Sequence, residues 1–238
     1  MRLYHYNKKY NMVSVDTVYQ RVQAILNKEN RGYMTPQEYN LLANQAQLEI
    51  FEQYFYDLSQ FNRAGEITNE YANIISNIRE KISLFRTTAT LSYASNVFAL
   101  PENLYRIGTI YYNSATEIEE LDQNQFLYIN ASPLTKPDTT RPVFVRNGDD
   151  LSIYPTTITS SVDCSYVKIP NIAEWRYQEI SGTALYDATV STDYDLHESE
   201  EPVLVYKILS YAGLVIKQPE ISTVAESLDQ KRITQEKS

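Results

Sequence analysis

Arg141-Pro142-Val143-Phe144-Val145-Arg146, then Asn147-Gly148-Asp149, then Leu151-Ser152-Ile153-Tyr154-Pro155 is the stretch on which the fold turns. Two short runs of β-branched and aromatic residues flank an Asn-Gly pair. Glycine reaches the positive φ that a tight turn needs to match the twist of its strands, so the stretch reads as a β-hairpin. Further on, Val162, Cys164 and Tyr166 alternate with Asp163, Ser165 and Val167 before Pro170, which reads as a third strand. Pro155 and Pro170 have no N–H to offer a ladder and so limit further pairing. The expectation is a small antiparallel meander.

Towards the N-terminus, Arg86–Ser92 is β-branched and alternating, Val97–Leu100 runs into Pro101, and Tyr105–Tyr112 is aromatic and aliphatic. A short helix is predicted from Asp122 to Ile129, with Asp122 as its cap. Before residue 86 the period is helical. Ser14 caps a helix carrying Val15, Val18, Val22 and Ile25. Thr35-Pro36-Gln37-Glu38 is a capping box with proline at the first helical position, and it opens a long helix with Leu41, Leu48, Phe51, Phe55 and Leu58 on one stripe, widened by Ile50, Tyr54 and Phe61. A third helix carries Ile67, Tyr71, Ile74, Ile75, Ile78 and Ile82. Near the other end, Ser199 caps a helix with two adjacent apolar stripes, Leu204/Ile208/Tyr211/Val215 and Val205/Leu209/Ala212/Ile216, which predicts burial on both.

The expected fold is therefore α+β: an antiparallel helical bundle of three N-terminal helices (14–85) plus a C-terminal helix (199–218), with a small antiparallel β meander and a short helix inserted (86–172). An arm (1–13), an acidic loop (173–198) and a tail (219–238) complete the chain.

Composition narrows the function. One cysteine among 238 residues excludes a disulfide scaffold or a cysteine-based metal cluster, and two histidines far apart in sequence, His5 and His197, make no multi-histidine site by themselves. The six glycines form no phosphate-cradling loop. The net charge of −9 argues against gripping nucleic acid phosphates. Residues 1–113 carry 11 basic and 10 acidic side chains, and the remainder 10 and 20, so the second half holds nearly all the net charge. From Glu174 to Glu201 eight carboxylates face only Arg176. That run reads either as a solvated acidic loop or as a surface that DNA slides past, with Glu174, Glu179, Asp187, Asp193, Asp195 and Glu198 facing the channel. The opening MRLYHYNKKYNM has no apolar core of a secretory signal, and no stretch approaches 18 apolar residues, so no membrane partner is expected.

Little points to chemistry. Cys164 sits on an alternating strand, where a small buried thiol is common. Asp195, His197 and Glu198 are weak metal candidates, and acids at a helix N-terminus account for the glutamates without a metal. Glu117, Glu119, Glu120 and Asp122 form a local run, which does not specify the paired carboxylates of a glycosidase. No cofactor and no catalytic residue is expected. The 21 tyrosines offer wide contact area with a polar tip; those in the arm and loops (Tyr4, Tyr6, Tyr10, Tyr177, Tyr186 and Tyr194) are candidates for subunit interfaces. Two other readings fit the residues: a monomeric carbohydrate-active or metal-dependent enzyme using the acidic 195–201 cluster, and a stand-alone module whose meander recognises a protein or glycan.

The order of parts carries a resemblance. Phe98-Ala99-Leu100-Pro101-Glu102-Asn103-Leu104-Tyr105-Arg106-Ile107, then Arg141–Arg146, then Leu151–Pro155, then Cys164-Ser165-Tyr166-Val167-Lys168-Ile169-Pro170 resembles the head-to-tail connector proteins of short-tailed phages: adaptor, gatekeeper or tail-tube ring subunits. The segment Gly32-Tyr33-Met34-Thr35-Pro36-Gln37-Glu38-Tyr39-Asn40 is similar to neck-ring proteins of crAss-like phages. The resemblance spans roughly residues 30–218 and rests on strand, turn and proline punctuation. It implies a non-enzymatic ring subunit of the virion neck or tail, typically twelvefold and assembled in the host cytoplasm. Its partners would be identical subunits, the portal, adjacent ring or tail proteins, and passing genomic DNA bound without sequence specificity.

Overall fold

A computed structural model describes residues 12–28, 34–64, 69–180, 183–215, 227, 230 and 231. The chain divides into two compact units, one from Met1–Leu84 and Pro170–Ser238, the other from Phe85–Ile169.

The second unit overturns the small meander and, with it, the bundle-dominated fold. Its eight strands are β1 (Arg86–Thr90), β2 (Ser92–Ala94), β3 (Val97–Ala99), β4 (Leu104–Tyr112), β5 (Thr116–Glu120), β6 (Val143–Asn147), β7 (Asp150–Tyr154) and β8 (Val162–Lys168). They form one sheet in the order β1-β8-β4-β5-β6-β7-β3-β2. The sheet is mixed: β5 and β6 pair parallel through Glu119 with Val143 and Glu120 with Phe144, and every other pair is antiparallel. A parallel pair needs a crossover, supplied here by the stretch holding helix α4 (Gln123–Ala131). The two edge strands, β1 and β2, are separated in the chain by Leu91 alone, whose N–H donates to Val162 O at 2.8 Å. The sheet therefore curls until its edges nearly meet, giving a barrel-like shape.

Inside it lie Leu91, Phe98, Ile110, Ile118, Phe144, Leu151, Ile153, Val162, Cys164 and Tyr166. Strand β6 is buried on both faces: Phe144 points into this core, while Val143 and Val145 meet Phe126 of α4, whose ring stacks on Tyr154 at 3.9 Å. A central strand covered on both sides reads as a continuous apolar run, which is why Val143-Phe144-Val145 does not alternate. The predicted hairpin forms, with Asn147 opposite Asp150 and Gly148 at φ +68°. At Gly108 a Cβ would lie 2.6 Å from Ser165 O, so only glycine fits where β4 shifts register against β8.

The first unit holds α1 (Val15–Lys28), α2 (Pro36–Ala64), α3 (Asn69–Ser83) and α5 (Glu201–Val215), the last preceded by a 3-10 turn, Glu198–Glu200. The capping box closes as predicted: Thr35 N–H and hydroxyl donate to the Glu38 carboxylate at 2.9 and 2.8 Å, and Glu38 N–H returns to the Thr35 hydroxyl at 3.3 Å. These bonds hold the Glu38 carboxyl below its ordinary range. Helix α5 is buried through Leu204, Ile208, Val205, Leu209 and Ala212, members of both predicted stripes.

The buried face of α2 keeps Ile50, Phe51 and Tyr54 of the expected stripe but departs from it in the first half of the helix. Tyr39, Ala43, Ala46, Ile50 and Tyr54 line it, whereas Leu41 and Leu48 face solvent, the former 69% exposed. In that half the small Ala43 and Ala46 are buried while the larger leucines two positions away stay in water.

Candidate interaction surface

The stretch expected as an acidic loop is tied to α2 by side-chain amides. Asn40 accepts from Trp175 N–H at 2.9 Å and donates to Trp175 O at 3.2 Å. Asn44 does the same for Ala173, at 2.8 Å in each direction. Gln47 donates to Asn171 O at 2.8 Å and accepts from Asp195 N–H at 3.1 Å. The geometry matches because one helical turn, about 5.4 Å, is close to two residues of extended chain, about 6.6 Å. Residues 40, 44 and 47 thus meet 175, 173 and 171 in turn. The amides serve the extended segment as a neighbouring strand would, and they turn Ile172, Glu174 and Arg176 outward.

Trp175 is the hub of this region. Its ring stacks on Tyr19 at 4.1 Å and lies 5.6 and 6.0 Å from Tyr177 and Tyr186, and its indole N–H donates to Asp16 at 3.0 Å. Tyr177 and Tyr186 belong to a two-stranded ribbon, β9 (Tyr177–Ile180) with β10 (Thr183–Tyr186). Between the start of α2 and this ribbon lies an open groove of about 850 Å³. Its walls are apolar side chains left in solvent: Leu41, Ile172 (70% exposed), Tyr177 (47%) and Val190 (48%). The second unit has its own exposed apolar group, Leu127, Tyr128 and Leu134, the last 92% exposed, and Leu134 borders a hollow of about 490 Å³ with Lys136 and Arg141.

The sequence-selected residues distribute as follows. Tyr4, Tyr6 and Tyr10 lie outside the described residues. Tyr177 and Tyr186 sit at the groove. Tyr194 is not at a surface: it is fully buried, and its hydroxyl meets that of Tyr39 at 2.8 Å. Burial raises both phenols above the usual tyrosine range.

Among the six acidic residues, Asp193 accepts from Val15 N–H at 2.9 Å and so caps α1 from a distant segment, and Asp195 is buried, accepting from Asn171 N–H at 2.9 Å. Glu174 pairs with Arg176 at 2.5 Å. Asp187 accepts from the hydroxyl and N–H of Thr189 and from Gln178, which hold its carboxyl below the ordinary range. Glu179 and Glu198 are exposed. His197 uses Nδ1 to cap the 3-10 turn, accepting from Ser199 N–H at 3.2 Å. Among the described residues no three His, Cys, Asp or Glu side chains converge as metal ligands, so Asp195, His197 and Glu198 are not brought together as a site.

Sequence reading passed over Asn40, Asn44, Gln47 and Trp175. The signal for the first three is a run of amides at i, i+4 and i+7, one face of α2, which a solvated helix surface would also show.

The chain matches no protein-family model, and no curated protein matches it in sequence. Among the described residues no helix is long and apolar enough to cross a membrane.

Proposed function

We propose that this chain is a structural subunit of a ring in a phage virion neck or tail. It packs side by side with copies of itself between the portal and the adjacent ring or tail protein, and the genome passes through the ring. The observation that carries this reading is the presence of two separate exposed apolar surfaces, one on each unit: the Leu41/Ile172/Tyr177/Val190 groove and the Leu127/Tyr128/Leu134 group. A subunit between neighbours needs more than one contact surface, and apolar and aromatic side chains left in water mark such surfaces. The order of strands, turns and prolines that resembles phage connectors supports the same class. The acidic side chains outside the core, Glu179 and Glu198 among them, suit a conduit that must not hold DNA.

The test is cryo-electron microscopy of the chain mixed with the portal protein of its virion. The proposal predicts a ring of this chain seated on the portal. Absence of any complex, with the chain remaining monomeric, contradicts it.

A further inference from the structure

We propose that the hollow of about 490 Å³ in the sheet unit is a binding site for a small zwitterion, an amino acid or dipeptide with apolar side chains. Such binding belongs to the sheet unit alone and stands or falls without regard to ring formation.

Strand β5 supplies the floor. Successive side chains of a strand point to opposite faces. Ile118 is buried in the core of the sheet, so Glu117 and Glu119 stand on the outer face, and both border the hollow. Two residues of extended chain, about 6.6 Å, set the spacing of these carboxylates along the floor.

Residues 132–142 supply the wall and bring Lys136 and Arg141 to the same hollow. Hydrogen bonds fix this wall at both ends. The Thr135 hydroxyl donates to Ile129 O at 2.9 Å, Lys136 N–H donates to Ser132 O at 3.0 Å, and Glu119 N–H donates to Pro142 O at 3.2 Å. Asp138 also borders the hollow, but its carboxylate accepts from the hydroxyl and N–H of Thr140 and from Arg141 N–H, at 2.6, 2.8 and 2.9 Å. That carboxylate is committed to the turn.

Among the described residues, none of Glu117, Glu119, Lys136 and Arg141 is in an ion pair. Two charges of each sign therefore border one hollow without meeting. A lone anion entering it meets the glutamates, and a lone cation meets Lys136 and Arg141, so ligands of a single sign are disfavoured. A zwitterion serves both: its ammonium donates to the glutamates, and its carboxylate accepts from Lys136 and from the forked guanidinium of Arg141. Leu121, Ile129, Val143 and the largely exposed Leu134 complete the lining and suit an apolar body. Small-ligand sites combine an apolar lining with a few polar groups in about 300–1,000 Å³, a range this hollow meets.

The experiment titrates the full chain with L-leucine and with the dipeptide leucyl-leucine by calorimetry, and follows the methyl NMR signals of Ile129 and Leu134. At least one of the two should bind saturably and shift those signals. N-acetyl-leucine lacks the ammonium and leucinamide lacks the carboxylate, so each should bind roughly tenfold more weakly or worse, having lost charge-assisted hydrogen bonds. The same loss is expected when Glu117→Gln is combined with Glu119→Gln, or Lys136→Met with Arg141→Met. All four side chains are exposed, so these variants should melt as the parent does, and the analogue comparison needs no substitution at all. Raised salt should weaken the binding, because exposed charges carry it.

No saturable binding of either probe at millimolar concentration overturns the proposal. So does binding that both analogues match, which would show that the paired charges do not recognise the ligand. Binding that leaves the Ile129 and Leu134 signals unmoved lies elsewhere and overturns it too.

Discussion

The hydroxyl pair between α2 and the 170–198 segment makes an asymmetric prediction. Tyr39 has one hydroxyl proton and donates it to Val15 O at 3.1 Å, so the 2.8 Å contact with Tyr194 must have Tyr194 as donor. Tyr194→Phe removes a donor from the Tyr39 oxygen and strands nothing, which should cost about 1 kcal/mol. Tyr39→Phe removes the bond to Val15 and also leaves the Tyr194 hydroxyl buried without an acceptor. An orphaned buried donor adds about 1–3 kcal/mol to the roughly 1 kcal/mol of the lost bond, so the total should be about 2–4 kcal/mol. In the double variant the stranded hydroxyl is gone, and the combined loss should fall short of the sum of the singles by the orphan's penalty, about 1–3 kcal/mol. Equilibrium urea unfolding of the three variants, compared at equal slope, reads these differences. Tyr194→Phe costing as much as Tyr39→Phe, or strict additivity, would refute the assigned direction of the bond.

Other outcomes follow from neighbouring features. Both buried phenols have folded pKa values raised above the ordinary 10.0, so the stability they contribute is fully present below about pH 10 and is lost as pH rises further. Ultraviolet titration should show two tyrosines ionising only as the chain unfolds, and their ionisation in the native state would contradict their burial. Gly108→Ala should destabilise the sheet unit by about 1–3 kcal/mol, because the new Cβ would press on backbone at Ser165 and not on a movable side chain; thermal melting measures it. Asn44→Leu replaces the amide with an apolar side chain of similar size and strands the N–H and C=O of Ala173, so a loss of about 2–3 kcal/mol is expected, with hydrogen exchange at Ala173 accelerating first.

Local signals were legible where a few consecutive residues decide the geometry. The Thr35–Glu38 box, the Asn147-Gly148 turn and the doubly apolar α5 need no knowledge of distant chain. The closed sheet was not legible, because its extent rests on pairings such as β1 with β8, about 75 residues apart, that no short window contains. Register shifts in β4 also break its alternation, and β5 shows one buried apolar residue, Ile118, among glutamates. The first half of the α2 face was misassigned because leucines outrank alanines on any hydrophobicity count, whereas Ala43 and Ala46 are the residues buried there. That same choice leaves Leu41 outside, on the groove. Tyr194 looked like a loop tyrosine and proved to be core, since the 170–198 segment is fastened to α2 by amides that resemble a solvated face.

The central claim is that copies of this chain associate into a ring through its exposed apolar surfaces. Mass photometry of the full chain over a concentration series, alone and with its portal, tests it most directly. The account predicts a discrete species at a fixed high multiple of the subunit mass, and Ile172→Asp should shift that species to monomer. A single monomeric species throughout, with or without the portal, would contradict it.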